Sequence, residues 1–321
     1  MGYGTPGVLL AALVIDAVVG DPRWLWRRLP HPVAIMGKVI AALDQTLNRD
    51  HHSGAMRRFA GIAAIGAIVV VLVVAGHLLG RLFDRFEGGW IVSALMASVL
   101  LAQRSLYEHV ADVRTALNDG GLEAGRKAVS MIVGRDPAAL DTGGVSRAAI
   151  ESCAENFSDG VVAPAFWFAL LGWPGLLVYK VVNTADSMVG HRSTRYEHFG
   201  WAAARLDDVL NLVPARLSAV LISLAAPAAS GSIVRSAAVA WRDAGLHRSP
   251  NAGWPESAMA GALDVALVGP RRYAERIVDD PFLNAGGRPS ANADDIGRAL
   301  RVYVLACALH GALYAALVVC L

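Results

Sequence analysis

The stretch FAGIAAIGAIVVVLVVAGHLLG, residues 59 to 80, decides the fold class of this chain. It contains no aspartate, glutamate, lysine or arginine. A helix needs about 20 mostly apolar residues to cross a bilayer, and lipid offers the backbone no hydrogen-bonding partners outside the helix itself. The stretch therefore predicts a membrane-spanning helix and an integral membrane protein.

Further apolar stretches lie on both sides of it. Residues 302 to 321 are long enough to span. Residues 90 to 102 are shorter and continue into an amphipathic helix, residues 8 to 19 are short and contain Asp16, and residues 209 to 230 begin with polar groups. The predicted fold class is all-α, a polytopic integral membrane protein with about four to six apolar helices, one or two of them candidates for re-entry.

Composition agrees with this class. The chain has 321 residues, of which 55% are hydrophobic and 17% are charged, whereas soluble domains carry about 25% charged residues. The net charge of +2 favours no nucleic-acid partner. The three cysteines, at positions 153, 307 and 320, form no CxxC pair, which argues against a zinc knuckle or a redox motif.

Residues 161 to 182 are long enough to span, but Gly172-Trp173-Pro174-Gly175 interrupts them. This break predicts a kink or a re-entrant hairpin. Residues 21 to 58 hold seven arginines and lysines against three acids, which predicts a cytoplasmic loop. If residues 161 to 182 span, the polar block that follows lies outside; if they re-enter, it faces the cytoplasm. We expect re-entry.

The segment NTADSMVGHRSTRYEHFGWAAARLDDVLNLVPAR, residues 183 to 216, is dense in polar and charged residues although apolar stretches flank it. A solvated loop does not need aromatics and glycines interleaved so closely with those groups. A segment that binds an anionic, metal-bound ligand at a membrane surface needs such an arrangement. We expect one membrane-embedded domain, residues 1 to 321, with this site segment and two amphipathic, helical regions. Residues 103 to 160 are expected to be cytoplasmic, and the side of residues 231 to 301 depends on whether residues 209 to 230 span the membrane.

Two oxygen-rich sets lie in the site segment. On a helix, Asp207, Asp208 and Asn211 are three or four residues apart and direct their oxygens toward one divalent ion. Asn183 and Asp186 provide a similar set. A helix-capping role is the alternative for either aspartate of the first set.

An acidic row follows a turn signal earlier in the chain. Glu151, Glu155 and Asp159 are spaced at i, i+4 and i+8. Like charges at that spacing repel, so Mg²⁺ or an arginine cluster is expected to bridge them. The alternative is a solvated acidic face.

Two turns complete the candidate set. In DTGGVSR, residues 141 to 147, two glycines open a predicted helix, and free N–H groups at a helix start bind anions. An ordinary N-cap is the alternative. In HRSPNAGWPE, residues 247 to 256, turn chemistry explains Pro250, Asn251 and Gly253 but not Trp254 and Glu256. No GxxxxGK[ST] motif occurs, which excludes a P-loop.

These blocks together resemble the cobinamide-phosphate synthase family of cobalamin biosynthesis, the CobD/CbiB family. The matching stretches are DAVVGDPRWLWRRLPHPVAIMG (residues 16 to 37), VGRDPAALDTGGVSRAAIESCAENFSDG (133 to 160), residues 179 to 216 and RSPNAGWPESAMAG (248 to 261). They cover about a third of the chain. The resemblance implies a membrane enzyme that joins adenosylcobyric acid to (R)-1-amino-2-propanol O-phosphate, or free aminopropanol, with ATP. The product is adenosylcobinamide phosphate.

Residue roles follow from the chemistry of that reaction. A carboxylate must be activated before an amine attacks it, and ATP does so through an acyl phosphate, with Mg²⁺ on the triphosphate. The expected metal ligands are oxygen donors: Glu151, Glu155, Asp207, Asp208 and Asn211. The expected catalytic residues include a base for the ammonium, and they are Asp186, His191 and Asp208.

The remaining candidates bind the cofactor ATP, while the corrinoid is substrate. Three arginines are expected to hold phosphate oxygens: Arg192, Arg195 and Arg216. The turn residues expected to cradle a phosphate group, with one further amide, are Thr142, Gly143, Gly144, Ser146 and Asn251.

The resemblance also implies a location and partners. We expect the cytoplasmic (inner) membrane of a bacterium, an active site facing the cytoplasm, and contact with lipid, with other cobalamin-assembly enzymes or with a second copy of the chain. Two alternatives stay open. A Mg²⁺-dependent membrane prenyltransferase also uses acidic helix motifs, and a transporter or scaffold also contains broken helices.

Overall fold

The computed structural model describes residues 4–133, 137–191, 193–273, 276–278 and 280–320. Helices make up most of this part of the chain, as the sequence predicts. Five helical stretches are long and apolar enough to cross a membrane. They are Gly54–Phe83, Gly89–Val129, Thr142–Val189, Leu212–Ala229 and Ala293–Cys320. The all-α, polytopic fold class is confirmed.

The α-helices of the described residues are α1 Thr5–Val19, α2 Arg23–Trp26, α3 Pro32–Leu47, α4 Gly54–Phe83, α5 Gly89–Ser98, α6 Gln103–Val129, α7 Thr142–Asn156, α8 Ala163–Val189, α9 Trp201–Leu210, α10 Leu212–Ala225, α11 Ile233–Asp243, α12 Gly253–Leu263 and α13 Ala293–Cys320. A π-helical turn, Phe157–Val162, lies between α7 and α8.

Helix α4 contains the apolar stretch that decides the fold class. Val70, Val71, Val74 and Leu78 are each more than half exposed on its surface. Soluble proteins rarely leave such a continuous apolar surface uncovered, whereas a helix in a bilayer buries it in lipid. The prediction of a membrane-spanning helix at residues 59 to 80 is therefore confirmed by the helix and by its exposed apolar face.

The chain divides into two compact units. Unit 1 consists of Met1–Ala102, Ala163–Asn211 and Tyr314–Leu321, and unit 2 consists of Gln103–Val162 and Leu212–Leu313. Unit 1 has two apolar clusters, one around α1 and α5 and one around α3, α4 and α9. Unit 2 has a single larger cluster centred on α7 and α12.

Within unit 1, α8 changes direction where the sequence predicts an interruption. Gly172 has φ of 63° and ψ of −144°, a conformation that side chains disfavour. Gly175 lies so close to the carbonyl of Trp167 that any side chain on the glycine would overlap it. Eight residues of straight helix would separate the two by about 12 Å. The two halves of α8 therefore fold back on each other.

Within unit 2, the central part of α7 is buried, because nine of the ten residues from Val145 to Ala154 are covered by neighbouring elements. Helix α6 breaks at Gly121, with φ of 70°. The sequence did not predict four short strands. They are β1 Leu267–Val268, β2 Arg271–Tyr273, β3 Arg276–Val278 and β4 Phe282–Leu283, and β1 pairs with β4 while β2 pairs with β3.

Candidate functional site

A cluster of carboxylates and amides joins α8 to α9 in unit 1. We call Asn183, Asp186, Asp207, Asp208 and Asn211 the acid–amide cluster. Nδ2 of Asn183 donates to Oδ1 of Asp207 at 3.3 Å, and Nδ2 of Asn211 donates to Oδ2 of Asp207 at 3.0 Å. Both oxygens of Asp207 are thus oriented by amides from two different elements.

Helical spacing brings these groups together. Asp207 and Asn211 are four residues apart at the end of α9 and share one face. Tyr179 and Asn183 are likewise four apart on α8. The hydroxyl of Tyr179 donates to Oδ1 of Asn211 at 3.0 Å, and both residues are 1% exposed. Tyr179 was not selected as a site residue from the sequence. Its position four residues before Asn183 could have indicated it, because the two share a helix face.

The cluster carries excess negative charge around a buried acid. Asp207 is 9% exposed, and burial, together with the nearby carboxylate of Asp186, raises its pKa to about 7. Among the described residues, no arginine, lysine or histidine forms an ion pair with Asp207. Asp208 is paired with Arg205 at 2.9 Å. A cation bound to Asp207 would offset the cost of burying its charge.

The connection from α8 to α9 is held by α3 and α4. The guanidinium of Arg195 contacts Asp44 at 2.8 Å, and this hydrogen bond raises the pKa of Arg195. The carbonyl of Arg195 accepts from Arg57 and from Asn48. Arg195 therefore holds its own segment in place in addition to its predicted phosphate role. His191 is exposed at the start of this segment, and Arg192 lies outside the described residues.

The acids predicted on α7 belong to unit 2. Oε1 of Glu151 accepts from the backbone N–H of Val268 at 2.8 Å, and the side chain is 6% exposed. Val268 has φ of 63°, which is unusual for a β-branched residue. The structure thus gives Glu151 a backbone partner that the sequence did not suggest. Glu155 lies one turn later on the same helix.

The predicted phosphate turn is a capped helix start. Oδ1 of Asp141 accepts from the N–H of Gly144 at 2.6 Å, which is the N-cap alternative. The hydroxyl of Ser146 is buried and donates to the carbonyl of Thr142. Gly143 is partly exposed. Phosphate binding by this turn stays a prediction.

Two other predicted residues meet in unit 2. Nη1 of Arg216 donates to Oδ1 of Asn251 at 3.0 Å, and the guanidinium lies over the ring of Trp254, 4.8 Å from its centroid. Nearby, Nε2 of His247 is 3.8 Å from Oε2 of Glu256. Nδ1 of His247 accepts from the N–H of Ser249, so this pair stabilises the turn.

The described carboxylates, imidazoles and thiols do not by themselves form a complete metal site. Among the described residues, no group of three or more histidine, cysteine, aspartate or glutamate side chains is placed to hold a metal ion. Asparagine oxygens, substrate phosphates and water supply the remaining ligands where Mg²⁺ binds proteins through one or two carboxylates. The acid–amide cluster fits that pattern by its donor types.

Comparison with known proteins identifies the family. The family described as CobD/Cbib protein matches residues 9–303. The chain belongs to the CobD/Cbib family. "Cobalamin biosynthesis protein CobD" of Sinorhizobium fredii (strain NBRC 101917 / NGR234) is 54% identical over 97% of this chain and 96% of its own length. The protein of that name from Rhizobium meliloti (strain 1021) is 52% identical, over 96% of this chain and 95% of its own. One from Rhodobacter capsulatus is 46% identical, over 92% of both. No solved structure matches the chain.

Proposed function

We propose that this protein acts in cobalamin biosynthesis as an ATP-dependent amide ligase. Its substrates are adenosylcobyric acid and (R)-1-amino-2-propanol O-phosphate, or free aminopropanol, and its product is adenosylcobinamide phosphate. Membership of the CobD/Cbib family and the names of its relatives support the pathway. The ligase step rests on the resemblance and on the chemistry of the acid–amide cluster.

The single observation that carries the proposal is the buried Asp207 carboxylate, which lies near Asp186 and has no cationic side chain paired to it among the described residues. Mg²⁺ takes oxygen ligands and keeps several waters or phosphate oxygens. Asp207, Asp208 and the amide oxygen of Asn211 would hold it. Bound there, Mg²⁺ supplies charge neutralisation for the triphosphate of ATP.

The proposed reaction balances in two steps. A propionate oxygen of the corrinoid attacks the γ-phosphorus of ATP, ADP leaves, and an acyl phosphate forms. The amine nitrogen then attacks the acyl carbon, phosphate leaves, and the amide bond forms. The ammonium must lose a proton before it attacks. Asp186 or His191 accepts this proton, because Asp186 belongs to the cluster in the last turn of α8 and His191 follows that helix in the connecting segment.

We further propose where the reaction occurs. The apolar helices support a membrane protein, and the positive charge of residues 21 to 58 favours a cytoplasmic position for that loop. We place the protein in the cytoplasmic membrane, with the acid–amide cluster on the cytoplasmic side, where ATP is available.

A coupled assay tests the function. Detergent-purified protein, and native membranes in parallel, receive adenosylcobyric acid, aminopropanol phosphate and Mg-ATP, and mass spectrometry detects the condensed product. We expect the product and an equal amount of ADP. Absence of product in both preparations would contradict the ligase and favour transport or scaffolding.

Two matched variants test the site in the same assay. Asp208→Asn is expected to abolish product formation while expression and folding persist. Asp264→Asn is the control, because Asp264 also pairs with an arginine, Arg235, at 2.6 Å, but belongs to unit 2. Near-normal activity of Asp208→Asn would contradict the metal role of Asp208.

A further inference from the structure

A groove of about 600 Å³ lies between α10 and α11 in unit 2. Its lining combines three small side chains, Ala219, Ala237 and Ala240, with the indoles of Trp241 and Trp254. The two rings meet edge to face, with centroids 6.0 Å apart. The volume is within the range of small-molecule sites.

Among the described residues that line the groove, Arg216 is the only one with a charged side chain. Its guanidinium donates to the carbonyl of Leu212 and to Oδ1 of Asn251. No carboxylate in the described part of the chain pairs with it. Neutral carbonyl and amide acceptors orient a guanidinium without neutralising it, so the groove presents a fixed positive charge at one place on an apolar surface.

The open side of the groove continues an apolar helix surface. Val220 and Leu224 line the groove, are four residues apart on α10, and are 54% and 46% exposed. Helix α10 belongs to a stretch long and apolar enough to cross a membrane. On α11, Val234 and Trp241 are 77% and 81% exposed, and exposed tryptophans are typical of the membrane–water interface.

We propose that this groove is a lipid site, in which an acyl chain of an anionic phospholipid lies against the three alanines of the lining and Arg216 binds the headgroup phosphate. The ligand must be apolar over most of its length and anionic at one point. A corrinoid or a nucleotide presents many polar groups, whereas the described lining offers, besides its two indoles, polar side chains only at Arg216 and Ser223. The proposal assigns Arg216 to a lipid phosphate in place of the ATP phosphate expected from the sequence, and it does not need the ligase reaction to be correct.

Native mass spectrometry of the detergent-purified, full-length protein tests this site. The protein is titrated with phosphatidylglycerol or with phosphatidylcholine, and bound lipids are counted. We expect phosphatidylglycerol to bind preferentially and Arg216→Gln to reduce that binding about fivefold, the factor that one basic residue contributes near an anionic lipid surface. Arg235→Gln is the matched control, because Arg235 pairs with Asp264 and is not part of the lining.

A second pair of variants tests the acyl-chain part without changing charge. Ala237→Phe places a ring in the groove, whereas Ala238→Phe places the same ring on the neighbouring exposed position outside the lining. We expect only Ala237→Phe to reduce phosphatidylglycerol binding. Equal binding by all four variants and the parent would overturn the proposal.

Two further outcomes would replace the lipid by another occupant. If inorganic phosphate at the concentration of the lipid displaces phosphatidylglycerol, the site binds a small phosphate anion and the acyl chain is irrelevant. If Ala237→Phe converts a dimer to a monomer and no lipid is retained by the parent, a second copy of the chain covers the groove. Either result would overturn the lipid assignment while leaving the coupled ligase assay unaffected.

Discussion

Glu151 of α7 and Asp207 of α9 are both buried carboxylates, with 6% and 9% exposure, and the sequence predicts the same metal-binding role for both. Their surroundings differ. Glu151 accepts from the backbone N–H of Val268, whereas Asp207 accepts from two side-chain amides and lies near a second carboxylate. The two acids are therefore alike in burial and differ in the donors that the structure gives them.

Removing the Glu151 carboxylate would take away the acceptor of a buried backbone N–H, that of Val268, so we expect Glu151 to contribute to the stability of unit 2. Each oxygen of Asp207 accepts one amide hydrogen bond and keeps a second lone pair, with which it can bind a cation. We therefore expect substitutions of Asp207 to reduce product formation more than stability, and substitutions of Glu151 to reduce stability more than product formation.

The largest expected effect belongs to Asp207→Asn. We expect product formation to fall about 100-fold or more, because charge stabilisation by a bound metal is worth several kcal/mol. The thermal midpoint in detergent should equal or exceed that of the parent, since a neutral amide is less costly to bury than a carboxylate. If Asp207→Asn loses stability but keeps its specific activity, Asp207 has the structural role that we assign to Glu151.

The next effect concerns Glu151. Glu151→Ala leaves the N–H of Val268 without this acceptor, and we expect a loss of about 1–3 kcal/mol in stability. Glu151→Gln keeps an acceptor oxygen and should lose less. Thermal inactivation measures both, and activity per folded molecule should stay within about threefold of the parent. An activity loss by Glu151→Gln as large as that of Asp207→Asn would show that the two acids do not differ in role.

A third prediction concerns pH. The pKa of Asp207 is raised to about 7, so the ion-free protein is most stable when this group is protonated and loses stability as pH rises from about 4 to about 7. Metal binding requires the carboxylate. We therefore expect divalent-ion affinity to fall about tenfold per pH unit below about 7 and to level off above it. Isothermal titration calorimetry across this pH range measures the affinity for the ion, and the affinity of Asp207→Asn should not depend on pH in this way.

The smallest expected effect is that of Tyr179→Phe. It removes one hydrogen bond to Asn211, worth about 1 kcal/mol, so activity should fall about two- to fivefold with little change in the pH profile. Tyr107→Phe is the control, because Tyr107 is 41% exposed on α6. Equal activities of the two variants would show that the hydroxyl of Tyr179 does not orient the cluster.

Local signals in the sequence predicted most of the fold. Hydrophobicity identified α4, and glycine and proline marked the break at Gly172, because both signals are read within a few residues. The pairing of Asp207 with Asn211 was predictable for the same reason, since the two share a helix face.

Long-range partners were not predictable. The contact of Glu151 with Val268 joins residues 117 apart, and that of Arg195 with Asp44 joins residues 151 apart. Neither spacing carries a periodic signal, because tertiary packing alone brings the groups together. The short strands near Val268 were missed for a related reason, since two- and three-residue pairs are too short to show an alternating pattern.

The acid–amide cluster is proposed to hold the divalent ion of the reaction. The most direct test is Mn²⁺ binding, measured by electron paramagnetic resonance with ATP present, on the parent, Asp207→Asn and Glu151→Gln. We expect the parent and Glu151→Gln to bind the ion alike and Asp207→Asn to bind it at least tenfold more weakly. Unchanged binding by Asp207→Asn, or its loss in Glu151→Gln with folding intact, would contradict the account.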